Sequence, residues 1–185
     1  MKANLSIIYD NDSCSTKVIA DSIMLGVKSI NNVECNMYSA GFAINNPAPL
    51  LESDAIIFGS PTYFGNVSAR TKSFMDSTTD IWKYKKWKNK IAAAFTHSSA
   101  ISGDKLSTLL SIFIFAQQHG MIWVGLDIKS RTKIEGGYEL NKFGSWVGLM
   151  TESLQQNNQM AITDDLRTAQ YFGARIAKLT KTFKK

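Results

Sequence analysis

Three polar segments hold the residue types best suited to chemistry. The first, Asp10-Asn11-Asp12-Ser13-Cys14-Ser15-Thr16-Lys17, leaves a short apolar run and opens onto a helical period. A hydroxyl-rich turn at a helix N-terminus is an anion site, because N–H groups and hydroxyls point outward and the helix dipole favours negative charge. The same residues also suit a helix capped by Ser13 or Ser15 with no ligand, and the segment alone does not separate the two readings. The second, Ser60-Pro61-Thr62-Tyr63-Phe64-Gly65-Asn66, combines a stiff proline, a permissive glycine and two aromatics. Aromatics at the end of a strand can stack on a planar ligand or cap the core. The third is His97-Ser98-Ser99-Ala100-Ile101-Ser102-Gly103-Asp104. His119, just before Gly120, can donate a proton or serve a helix C-terminus, and the two readings balance. Cys14 beside Lys17 could be an activated thiol, although an idle cysteine is the commoner outcome at such a place.

These segments need strands and helices to bring them together. Leu5–Tyr9, Val33–Met37, Ala55–Gly59, Ile91–Thr96 and Met121–Val124 read as buried strands, short and apolar. Between them runs a helical period: Ile19, Ile23, Val27 and Ile30; a helix from near Ser68 carrying Phe74 and Met75; and Leu106, Leu109, Leu110 and Phe113. A last helix from about Thr163 turns Leu166, Ala169, Ile176 and Leu179 inward. Alternation of this kind predicts an α/β fold, a doubly wound five-stranded parallel sheet with helices on both faces. Ligands of such sheets lie beyond the carboxyl ends of the strands, and all three polar segments follow strands. Residues 125–159 form a longer excursion than ordinary loops, expected to be functional or interfacial, with a helix somewhere in 139–155.

A length of 185 residues suits one domain spanning 1–185. No stretch is long and apolar enough to cross a bilayer, and the N-terminus lacks a signal-peptide pattern. Cys14 and Cys35 are far apart and outside any metal-ligand spacing, so no metal is expected and a reducing, cytoplasmic setting is. The net charge of +6 gathers in Trp82–Lys90 and in Lys178–Lys185. Basic residues interleaved with aromatics can bind nucleic acid, but without an accompanying motif that partner is not expected; aromatics folded back onto the body are.

The segment Asp54–Asn66, with its Pro61-Thr62-Tyr63-Phe64-Gly65-Asn66 core, resembles the signature of flavodoxin-like NAD(P)H:quinone oxidoreductases of the tryptophan-repressor-binding-protein type, related to NADPH-dependent FMN reductases. Phe74-Met75-Asp76, Gln118-His119-Gly120-Met121 and Gly144–Met150 extend the similarity over nearly the whole chain. The resemblance implies a flavodoxin-like fold and an FMN site. Asn11, Asp12, Ser13, Cys14, Ser15 and Thr16 would hold the phosphate, and Pro61 to Asn66 would run along the isoalloxazine. His97, Ser98, Ser99, Ala100, Ile101, Ser102 and Gly103 would flank the ring, with His119 near its reactive side. It further implies two-electron transfer from NAD(P)H to a quinone or similar acceptor. A homo-oligomer, dimer or tetramer, is also implied, with Trp82 a candidate for walling a neighbour's flavin. Alternatives are a flavodoxin-like one-electron carrier and a flavin-free regulatory or binding module of the same fold.

Two departures from the family pattern stand out. Cys14 takes the place of a glycine in the phosphate loop and Asp12 that of a hydroxyl residue. A carboxylate ~4 Å from a phosphate charge costs about 4 kcal/mol at an effective dielectric near 20, or roughly three factors of ten in affinity. The penalty disappears if Asp12 turns outward and leaves its N–H to the ligand. The third segment keeps only Gly103 of the usual glycine run, and Ile101 either restricts the approach to the ring or packs over it.

Overall fold

The computed structural model describes residues 2–10, 12, 14–153 and 159–184. The chain begins β1 (Ala3–Tyr9), α1 (Cys14–Lys28), β2 (Val33–Ser39), α2 (Ala40–Asn45), α3 (Ala48–Leu51) and β3 (Ala55–Tyr63). It continues through β4 (Asn66–Val67), α4 (Ala69–Ser77), α5 (Thr79–Lys83), β5 (Ile91–Ser98) and α6 (Lys105–Gln118). Last come β6 (Ile122–Trp123), β7 (Thr132–Lys133), β8 (Glu139–Leu140), β9 (Leu149–Glu152) and α7 (Gln159–Phe183).

Strand side chains alternate between the two faces of the sheet. Leu5, Ile7, Ile57 and Phe95 pack with Ile19 and Ile23 of α1 and Phe172 and Ile176 of α7. Ile8, Ile56 and Phe58 pack on the other face with Phe74, Leu109 and Phe115. Because both faces are covered, the strands are nearly all apolar, and this is what made them readable. Trp87, inside the basic segment, is wholly buried against Phe58, Phe74 and Phe115, whereas Trp82 and Tyr84 stay exposed.

Parallel pairing gives the order β2-β1-β3-β5, and the fifth position is shared. The start of β5 pairs with β6 (Ile91 with Ile122), while its end pairs with β9 (Phe95 with Leu149, Ser98 with Glu152). The expected strand Met121–Val124 is therefore only the first part of that position, and residues 124–148 are an insertion within it. Trp123 Nε1 donates to Val147 O at 2.8 Å and closes the insertion at its base. The helix expected within 139–155 is absent among the described residues, where β8 and β9 occur instead; residues 154 and 155 lie outside them. Gly125 and Gly148 mark where backbones approach closely: a Cβ on the first would meet Trp146 O at 2.0 Å and on the second Ala94 O at 2.6 Å.

Candidate functional site

The sheet reverses its winding between β1 and β3, so the crevice at their carboxyl ends is the place for a ligand. Asp10, only 1% exposed, ties the first loop down. Its N–H donates to Gly59 O, its Oδ1 accepts the Asp12 N–H at 2.7 Å, and its Oδ2 accepts the Ser68 hydroxyl. Ser68 in turn caps α4 by accepting the Thr71 N–H. Asp12 does turn away from the loop: its Oδ2 accepts from Arg70 Nε at 2.7 Å. Its N–H is spent on Asp10, however, and is not left for a ligand. Asp10 was expected only as the head of the polar segment and Arg70 not at all, since a pairing across 58 positions leaves no mark on local sequence.

Cys14 is exposed at the first position of α1, and Lys17 pairs with Asp21 at 2.8 Å, one helical turn on. Ser15 and Thr16 are buried. Thr16 Oγ1 lies 2.8 Å from His97 Nε2, and His97 Nδ1 lies 2.9 Å from Ser153 Oγ. Burial, and then the neighbouring Lys105, push the His97 pKa down to about 4, so the ring is neutral at pH 7. His97 thus supports the first loop from beneath. Asn11 and Ser13 lie outside the described residues.

The second segment is more regular than its proline suggests. Strand β3 continues through Pro61, which is paired in register with His97, to Tyr63, and returns as β4. The Thr62 side chain points inward, its Oγ1 within 2.9 Å of the hydroxyls of Thr96 and Thr108. The turn is Phe64-Gly65, with both residues at positive φ, 49° and 70°. Such two-residue hairpins favour Asn-Gly, and a phenylalanine there carries strain of about 1–2 kcal/mol. Phe64 is wholly exposed and Tyr63 is half-exposed, so neither ring caps the core. The ring is therefore held in strained backbone and left open to solvent, free to meet a planar ligand. Phe64→Asn is expected to raise stability by about 0.5–1 kcal/mol through relief of the left-handed backbone, while weakening ring binding. A urea titration showing a lower midpoint would mean that Phe64 serves the fold.

The third segment meets the second where a Cβ on Gly65 would be 3.5 Å from Asp104 Cβ. Ala100 O accepts from both Ser98 Oγ and Lys105 Nζ, each at 2.9 Å. Lys105 is 1% exposed, and its ammonium stands 4.4 Å over the Phe143 ring. Gly103 sits at φ 55°, with Ser98 Oγ only 2.2 Å from the place of a Cβ. Ile101 is exposed, so it stands over the loop without entering the core. The three loops therefore converge on one edge, as the alternation implied.

His119 does not join them. Helix α6 runs back against the strands, so its end lies at their amino edge, where Gly120 O accepts the Asn89 N–H just ahead of β5. His119 is buried between Trp87 and Phe115, with Nε2 3.0 Å from Thr78 Oγ1. Burial, then Lys85, lowers its pKa to about 4. Its Nδ1 has no partner among the described residues, and with exposed Trp82 it lines a cleft of about 280 Å³. Within one chain it is remote from the loops, which corrects the expectation that it lies near the reactive side of the ring: a helix leading into a parallel strand ends at the sheet's amino edge.

The architecture is that of a flavodoxin-like protein, with parallel strand order 2-1-3-4-5 once the antiparallel β4 is set aside and β6 and β9 count as one. Residues 48–127 match the NADPH-dependent FMN reductase family. A flavodoxin, FldP, of Pseudomonas aeruginosa is 34% identical over 130 residues, covering 69% of this chain and 71% of its own. An NAD(P)H dehydrogenase (quinone) of Archaeoglobus fulgidus is 35% identical over 140 residues, 76% of this chain and 66% of its own. The crystal structure of a WrbA-like flavodoxin from Agrobacterium tumefaciens superposes with a TM-score of 0.75 at 28% identity, covering 99% of this chain and all of that one. The chain belongs to the flavodoxin-like family.

Proposed function

We infer that the protein is an FMN-dependent NAD(P)H:quinone oxidoreductase of one domain, 1–185. The observation that carries this reading is the strained, water-exposed Phe64 beside Tyr63, on the same sheet edge as a hydroxyl-bearing helix N-terminus. The donor set fits a phosphorylated flavin: Ser15 and Thr16 open α1, and the charge on Asp12 is offset by Arg70. Residues 11–16 would hold the phosphate, 61–66 would line one side of the ring and 97–103 the other. When bound, FMN would supply the redox chemistry, a two-electron transfer from nicotinamide to quinone.

The chain's own part is to bind and orient. Thr16 keeps its hydroxyl at the helix end because neutral His97 holds it. Tyr63 and Phe64 offer flat apolar surface and exclude water from one side of a ring. The buried ammonium of Lys105 fixes the Ala100 carbonyl inward; across a trans peptide the Ile101 N–H then points the opposite way. A donor so placed favours negative charge gathering on the reduced ring. In the dimer or tetramer we propose, the Trp82–His119 cleft of one copy would meet the flavin edge of another, and His119 would take a catalytic part there. Among the described residues no helix is long and apolar enough to cross a membrane, and both cysteines are free thiols, in keeping with the cytoplasm.

Purified protein titrated with FMN should quench flavin fluorescence at a stoichiometry of about one per chain, and the complex should turn over NAD(P)H with a quinone. Light scattering should find two or four copies. Failure to bind FMN at high micromolar concentration would end the assignment. The likeness to a flavodoxin favours a second reading, a one-electron carrier. Binding of FMN with no steady-state NAD(P)H oxidation would select it.

A further inference from the structure

The first loop is an unpromising place for a dianion when its charges are set out. Asp10 and Asp12 both lie in it, and Lys17 is held by Asp21 at 2.8 Å. Arg70 is the remaining cation at the loop among the described residues. It reaches the loop from the first turn of α4, whose start is fastened to the loop through Ser68 and Asp10. Gly41, in the first turn of α2, makes room for it: a Cβ there would lie 3.1 Å from the arginine Nη1. Only Nε is used, on Asp12 Oδ2, and neither Nη group has a hydrogen-bond partner among the described residues.

Stability does not account for this pair. Arg70 and Asp12 are 43% and 55% exposed, and ion pairs in such settings contribute little. A guanidinium is a rigid planar fork, so a carboxylate that holds Nε leaves the Nη donors aimed in a fixed direction. We propose that Arg70 is a ligand of the flavin phosphate, with Asp12 as the carboxylate that positions it. On this view the acidic residue in the loop is the anchor of a cation and not an obstacle to an anion. The inference rests on the FMN reading above and adds to it a charged phosphate contact supplied by α4. Recognition then depends on the phosphate, and the same ring without one gains nothing from the arginine.

The test is equilibrium titration of the full chain with FMN and with riboflavin, which shares the ring and lacks the phosphate. Arg70→Ala should weaken FMN at least tenfold and leave riboflavin unchanged, because it removes a donor and exposes the Asp12 charge. Adding Asp12→Ser to Arg70→Ala should recover several-fold of the loss, and Arg70→Lys should recover part of it. Equal FMN affinity in wild type and Arg70→Ala would overturn the proposal, as would an equal loss for both flavins, which means a merely structural role. If wild type binds riboflavin as tightly as FMN, the ring site stands and the phosphate contact falls. If wild type binds neither, the flavin assignment itself falls and takes this contact with it. Urea midpoints of all variants, expected to match wild type, guard against misfolding.

Discussion

Replacing Gly173 with alanine should destabilise the protein by about 3 kcal/mol, the scale of overpacking a tight interior. Ordinarily the change would help, since alanine is favoured over glycine inside a helix by roughly 1 kcal/mol. Here α1 and α7 touch through their backbones. A Cβ on Gly173 would lie 2.1 Å from Ile23 O, and one on Gly26 would lie 1.9 Å from Gln170 O. Backbone oxygen cannot rotate aside, so the helices must separate and the packing of Ile19, Ile23, Phe172 and Ile176 loosens with them. The proposed phosphate loop leads into α1, so FMN affinity should fall in the same variant. Gly26→Ala should behave alike. The double variant should lose less than the two losses added, because a gap opened by one methyl accommodates the other. Urea unfolding of the four proteins checks this, and a midpoint for Gly173→Ala at or above wild type would refute the close crossing.

The same contact shows where sequence reading runs out. Both glycines fall on helical stretches whose apolar spacing was plain, yet nothing local says that two backbones meet there. The sheet was legible because burial on both faces forces apolar runs, and the three loops followed from the rule that ligands sit at strand ends. The extent of each loop was less so. Pro61 suggested a turn, but pairing with His97 and with β4 carries the strand on to Tyr63. The divided fifth strand was hidden, since β9 is four residues whose only instruction to join β5 comes from across the sheet. Asp12 stood out as an anomaly against the family pattern the chain resembles. Its partner Arg70 became visible only with the fold, because α4 and the first loop meet through tertiary packing.

Acid should unfold this protein earlier than its carboxylates alone require. His97 and His119 both have an ordinary pKa of 6.5 and a native value of about 4, chiefly through burial. Between those values the unfolded chain takes up protons that the native state refuses. Their neutral-state stabilisation is therefore complete above pH 6.5 and is lost as pH falls toward 4. Each contributes a slope of about 1.4 kcal/mol per pH unit. Asp165 works the other way: burial raises it from 3.8 to about 6, so the native state binds its proton first and gains as pH falls below 6. Two histidines against one aspartate leave a net loss of about 3 kcal/mol between pH 6.5 and 4.5. His97→Gln removes one histidine from that balance, and the profile below pH 6 should become nearly flat. Urea midpoints measured at half-unit steps read the slope directly. A wild-type profile that is flat over this interval would mean that the two rings accept protons without unfolding. Such a result would also undo the neutral His97 that holds the Thr16 hydroxyl at the head of α1.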